Sequence, residues 1–172
     1  KQRARMLWDL GLEAVALVEE LIREFGISCE LGTGNLHVAA SEKAARELRE
    51  EVEHLHAIYN YGEIRYVDKD ELREMSSAQG FHGGTLDLGC RHLHPLNYCL
   101  GLGRAAAELG VVLHEGSRVS RYDEGGKIQV HSDRGSVDCD HLVLACNGYL
   151  GKLEPRVAGQ IMPINNYVIA TE

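Results

Sequence analysis

Four groups of residues in this sequence have types and spacings that chemistry uses. The first is the apolar run 142–146, LVLAC, which ends abruptly at Asn147 and Gly148. Such a run suits a parallel strand buried on both faces. In an open α/β sheet, ligands lie at the carboxyl ends of the parallel strands. The loop Ala145, Cys146, Asn147, Gly148 is small enough for its backbone to approach a ligand there; a strand-to-loop junction without function is the alternative. The second group is Cys90, His92 and His94, with His82 nearby. On a strand, residues two apart share a face, so the first three point one way. No further ligand stands at a convincing spacing, and no metal site is expected. His94 is instead expected to cap the helix that starts at Pro95, with His82 and His92 near the surface or a site rim. The third, GLGRAA at 101–106, only echoes a phosphate-binding loop, because it lies inside a helical pattern and not at a strand-to-helix turn. The fourth is a missing one: no G-x-S-x-G and no Cys–His pairing appears, and Cys146 reads as a small packing residue.

The elements that would position these residues follow from periodicity. Residues 4–25 carry Leu7, Leu10, Ala14, Val18, Leu21 and Phe25 at helical spacing, and Gly26 follows as a stop. A strand is predicted at 34–40. Ser41 caps a second helix with Ala45, Leu48, Val52 and Leu55 as its buried stripe. A strand at 63–67 leads to a short helix at 68–75, where Asp68 and Glu71 have capping-box spacing. A short strand at 85–88 sits in a glycine-rich, turn-rich segment. Pro95 opens a helix that Gly110 closes. Its small residues, Gly101 and Ala105 among them, suit close packing on a sheet. A strand at 111–116 follows, joined to the strand before it by this helix, as a parallel right-handed crossover would require. Three antiparallel strands are then predicted, turning at Gly125–Gly126 and at 133–135, before the buried strand at 142–146. Residues 149–160 read as a loop with a short helix, and 161–172 as a strand entering another sheet. The fold class is α/β in the mixed, α+β sense.

Composition sets the outer bounds. The hydrophobic fraction of 44% and charged fraction of 26% require a packed core. A net charge of −8 argues against nucleic-acid binding, which needs a basic face. The five cysteines, Cys29, Cys90, Cys99, Cys139 and Cys146, form no C-x-x-C pair, so reduced thiols in a cytoplasmic protein fit best. No run approaches the roughly 18 apolar residues of a membrane span. No signal peptide is expected. Because the chain starts at Lys1 and stops at Glu172 within a strand-like pattern, it is expected to be an internal segment of a longer protein.

The stretches GNLHVA, GFHGGTLDLGCRHLHPLNYCLGLGRAAAELGV, GVVLHEGSRVSRYD and VLACNGYLGKLEPRVAGQIMPINNYVIATE resemble the D-amino-acid oxidase and glycine/sarcosine oxidase superfamily of flavoproteins. They are most similar to its gamma-glutamylputrescine oxidase branch. The resemblance covers nearly the whole chain and rests on the order of several motifs. It implies a two-domain FAD enzyme, with part of an FAD-binding α/β domain containing the antiparallel meander and a substrate domain built on a mixed sheet with helices. On that reading residues 1–90 are mainly substrate domain, 91–160 part of the FAD domain, and 161–172 the return to the substrate domain. Val119 matches the valine whose backbone contacts the adenine end of FAD. Ala145, Cys146, Asn147 and Gly148 match the loop passing the ribose and pyrophosphate. Pro163 matches the proline leading back to the substrate sheet, which would let Tyr167 face the substrate. The family's G-x-G-x-x-G, its ribose-binding acid and its last flavin segment have no counterpart in these residues.

The resemblance implies oxidation of a C–N bond of an amine or amino acid, with hydride passing to flavin and dioxygen as acceptor. The branch points to a gamma-glutamylated polyamine, in putrescine breakdown. No side chain is assigned as catalytic base. The segment alone is not expected to turn over. Two rivals stand beside this: a non-catalytic ligand-binding or interaction module, and a flavin dehydrogenase passing electrons to a quinone or protein acceptor.

Overall fold

A computed structural model describes residues 2–165, 167 and 168. They group into two compact units, Lys1–Val112 and Leu113–Glu172.

The first unit opens with α1 (Gln2–Glu24). Its packed side matches the predicted stripe only in its C-terminal half. Val18, Leu21 and Phe25 are half-buried as expected, but Leu7, Leu10 and Ala14 are exposed, and Trp8, Val15 and Ile22 are half-buried as well. Aromatic packing decides this: the Trp8 ring lies 4.5 Å from that of Tyr59 and meets Tyr61 edge-on at 5.2 Å. Such pairs add to simple area burial, and the helix is turned to satisfy them. Gly26 stops the helix with φ of 57°.

Strand β1 (Gly32–Val38) begins two residues earlier than predicted. α2 (Glu42–His54) is capped as expected, with Ser41 Oγ accepting the Ala44 amide at 3.2 Å. Ala45, Leu48 and Val52 are its buried stripe, while Leu55 falls in a π-turn (Leu55–Tyr59). β2 (Ile64–Val67) and α3 (Lys69–Met75) follow. Asp68 caps α3 by accepting the Asp70 and Glu71 amides. Glu71 does not complete the capping box; its carboxylate takes the Arg65 guanidinium at 2.6 and 3.0 Å instead.

β3 (Gly84–His92) is much longer than the predicted 85–88 and is the central strand of an antiparallel sheet ordered β1-β3-β2. Its glycines obscured this in the sequence, yet they are what allows close approach. A Cβ on Gly84 would fall 2.5 Å from the His37 carbonyl oxygen. The sheet is antiparallel throughout its described strands, so the expected mixed sheet is not found among them. α4 (Pro95–Glu108) begins as predicted, with His94 Nδ1 accepting the Asn97 amide at 3.3 Å. Gly101 and Ala105 are its buried residues. The core of the unit also contains Ile27, Cys29 and the fully buried Val67.

The second unit is built on the meander β4 (Val119–Asp123), β5 (Ile128–Ser132) and β6 (Gly135–Cys139), antiparallel in that order. The two tight turns fall where predicted. The flanking predicted strands do not form: neither 111–116 nor 142–146 pairs with any described strand. A strand exists only through its hydrogen-bonded neighbour. The three meander strands pair only with one another, so both runs are irregular and Val143 is 83% exposed. The parallel crossover is therefore absent from the described residues. A 3₁₀ turn (Asn147–Tyr149) and α5 (Pro155–Ala158) complete the unit. The described residues of 161–172 are irregular, not a strand, and the rest of that stretch lies outside the described residues. No described helix is long and apolar enough to cross a membrane.

Candidate functional site

The second unit holds a half-open cleft of about 650 Å³. One wall is the start of β4, with Arg118, Val119 and Ser120; the other is Cys146 and residues 149–153; Asp133 reaches it from the β5–β6 turn. The register of β4 against β5 slips between Val119 and Arg121. A bulge of this kind bends the strand and re-aims its side chains, here at the cavity mouth.

The opposite wall is shaped by local conformation. Asn147 adopts φ of 50°, which asparagine tolerates better than most residues. Its Oδ1 accepts the Gly148 amide at 2.8 Å. The chain then drops Leu150 into the interior while Tyr149 stays in solvent. Two cations, Arg118 and Lys152, and one carboxylate, Asp133, lie around the cavity. An anionic ligand of moderate size suits this lining.

Of the residues picked out in the sequence, Val119 and Cys146 line this one cavity. Ala145 and Asn147 are exposed and flank Cys146 in the same loop. Gly148 sits against Pro163, where an added Cβ would be 3.6 Å from the proline Cβ. Tyr167 is 90% exposed and lies in irregular chain. Sequence reasoning missed Arg118, Ser120, Asp133 and Lys152. Asp133 was visible only as a turn former.

It also missed a link between the two walls. Tyr122 on β4 donates its hydroxyl to Glu154 Oε2 at 2.7 Å. The other oxygen, Oε1, accepts the Arg156 amide at 3.1 Å, which caps α5. The Tyr122 bond first, and then the Arg156 amide, hold the Glu154 carboxyl below its ordinary pKa; the same bond pushes the Tyr122 phenol up. Nothing in the spacing of these residues signals the pair.

The first unit holds a separate, mostly apolar cavity of about 590 Å³ beneath α1. Trp8, Val15, Tyr61, Asp87 and Cys90 line it. Burial, and then the bond to Asp87, push the Tyr61 phenol and the Cys90 thiol upward, so Cys90 is poorly suited to act as a thiolate. Of the histidines, His92 Nδ1 lies 3.3 Å from the Gly34 carbonyl oxygen, and His94 caps α4. Among the described residues no three His, Cys, Asp or Glu side chains are grouped to hold a metal ion.

Comparison with known proteins places this geometry in context. The family described as "FAD dependent oxidoreductase" (DAO) matches residues 1–172. Probable oxidoreductase OrdL of Rhizobium meliloti (strain 1021) is 31% identical over 172 residues, covering 99% of this chain and 40% of that protein. Gamma-glutamylputrescine oxidoreductase of Escherichia coli (strain K12) is 31% identical over 170 residues, covering 98% and 40%. The chain thus spans about 40% of the length of these curated relatives. Among solved structures, glycine oxidase from Geobacillus kaustophilus superposes with a TM-score of 0.70 at 24% identity, covering 91% of this chain and 41% of that one. L-proline dehydrogenase from P. horikoshii gives 0.69 at 18%, covering 89% and 41%. These two likenesses establish a shared fold.

Proposed function

This chain belongs to the DAO family of FAD-dependent oxidoreductases, and from that premise we propose that its whole protein oxidises a C–N bond of an amine or amino acid, with dioxygen as acceptor. The observation carrying the cofactor assignment is the cavity in which Val119 and Cys146 meet. Val119 and the loop Ala145, Cys146, Asn147, Gly148 would hold FAD, with the cations of Arg118 and Lys152 favouring its phosphates. When bound, FAD supplies a two-electron acceptor for the substrate's hydride. The chain's own part is to hold and orient the cofactor between two walls. We assign no catalytic base. Tyr167 is the residue proposed to face the substrate.

A gamma-glutamylated polyamine is the proposed substrate, supported by the identity to the Escherichia coli enzyme. Membership of an oxidoreductase family favours an enzyme over a non-catalytic binding module. The domain assignment carries over as proposed: 1–90 substrate domain, 91–160 FAD domain, 161–172 return. The five free cysteines support a cytoplasmic location.

The test is the visible spectrum of the full-length protein, before and after a gamma-glutamyl amine is added without air. Flavin bands that bleach, then recover with peroxide when air is admitted, are the expected result. Bleaching without peroxide on re-aeration would instead identify a dehydrogenase using a quinone or protein acceptor. A colourless protein that FAD cannot reconstitute would end the oxidase reading.

A further inference from the structure

We propose that the Tyr122–Glu154 hydrogen bond is a latch that holds the two walls of the cavity together, making both side chains positioning residues for the ligand it takes. The proposal builds on the reading of this cavity as the FAD site.

The argument starts from how the walls are connected. One wall is β4, where Val119 and Ser120 line the cavity and Tyr122 stands just beyond them. The other is the segment 149–153, whose next residue is Glu154. Leu150 anchors that segment in the interior, but its outer half is irregular chain. Among the described residues, no other side-chain hydrogen bond joins β4 to residues 149–154. Glu154 is well suited to the task because its carboxylate is held from both sides. Oε1 is fixed by the amide of Arg156 at the start of α5, which leaves Oε2 aimed at Tyr122. A shared carboxylate of this kind sets the distance between strand and segment, and with it the width of the cavity.

The experiment uses the full-length protein with Tyr122→Phe, Glu154→Ala and Glu154→Gln. Two quantities are read: the FAD dissociation constant, by flavin fluorescence, and the alkylation rate of Cys146 in flavin-free protein, by peptide mass spectrometry. Losing a hydrogen bond to a charged acceptor should weaken FAD binding about tenfold in Tyr122→Phe and Glu154→Ala. Cys146 should be alkylated faster in the same two variants. Glu154→Gln keeps one oxygen to accept the Arg156 amide and can turn its NH2 to donate to the Tyr122 hydroxyl oxygen, so both quantities should lie closer to wild type than in Glu154→Ala, which a general loss of folding would not allow. The Tyr122→Phe/Glu154→Ala double variant should be no worse than Glu154→Ala alone, which already loses both the Tyr122 bond and the α5 cap. Unchanged Cys146 alkylation in Tyr122→Phe and Glu154→Ala overturns the latch, whatever the cofactor does. If the wild-type protein takes up no flavin, the FAD reading fails by itself, and the alkylation rates still decide the latch.

Discussion

Tyr61 donates its phenolic proton to Asp87 Oδ1 at 2.6 Å, and that same oxygen accepts the Gly89 amide at 2.8 Å. One carboxylate oxygen therefore ties the chain after the π-turn to the middle of the central strand. The arrangement needs a glycine at 89, since a Cβ there would fall 2.0 Å from the Tyr61 hydroxyl. Tyr61→Phe keeps the ring against Trp8 and removes only the bond. A loss of about 1.5–3 kcal/mol is expected, the usual worth of a hydrogen bond to a charged group. The pH dependence has a definite sign. Burial and Asp87 raise the phenol's pKa in the folded state, so its contribution is full below the unfolded value of about 10 and is lost as pH rises above it. Denaturant unfolding from pH 8 to 11 should show a shallower alkaline decline in Tyr61→Phe than in wild type. Parallel declines would remove Tyr61 from the account.

Gly101 of α4 packs directly on Ile27. A Cβ at 101 would lie 2.3 Å from Ile27 Cγ2 and 3.1 Å from its Cβ, so rotation of Ile27 alone cannot clear it. Glycine inside a helix normally costs about 0.5–1 kcal/mol relative to alanine. Here overpacking, at about 1–3 kcal/mol, outweighs that gain. Gly101→Ala is therefore expected to lower the melting temperature, and adding Ile27→Ala should cost less than the sum of the two single changes. Gly11 in α1 is the control: nothing lies within 4 Å of its added Cβ, and Gly11→Ala should raise the melting temperature.

The parts of this fold that were legible in the sequence are the ones encoded locally. Ser41, Asp68 and Pro95 mark helix starts because capping needs only the next three residues. The meander was legible because its turns lie beside the strands they join. Where partners are distant, the sequence misled. The runs at 111–113 and 142–146 are apolar, which reports a demand for burial but not which strand would meet it. The face of the first turns of α1 was set by Trp8 finding Tyr59 and Tyr61, far along the chain. At the candidate site, Val119 and Cys146 were reached through family resemblance. The Tyr122–Glu154 bond crosses two elements with no periodic signal and was not foreseen.

Asp123 accepts His131 Nε2 at 2.8 Å and the Arg121 guanidinium at 2.6 Å, on the exposed edge of the meander. These bonds, that of His131 first, lower the carboxyl's pKa. A lowered pKa contributes stability above the unfolded value of about 4, and loses it as pH falls through the folded one. Solvent screening keeps the effect small. Asp123→Asn should lower the melting temperature slightly at pH 7 and converge with wild type at pH 2–3. A gap that stays constant across this range would assign the effect to something other than titration.

Gly148 separates a structural requirement from a ligand requirement. Its φ lies outside the left-handed region, and an added Cβ would meet only Pro163, at an ordinary contact distance of 3.6 Å. The protein fold therefore has no need of glycine at this position. If the loop 145–148 passes close to bound FAD, the reason for glycine lies with the cofactor, and a methyl group would intrude on it. Gly148→Ala in the full-length protein should leave the flavin-free stability within about 0.5 kcal/mol of wild type, as surface changes usually do. It should also weaken FAD binding by about 1 kcal/mol or more, the usual scale of overpacking. Unchanged affinity by fluorescence titration would show that the cofactor does not approach this backbone. Cys146 would then remain the loop's point of contact with the cavity.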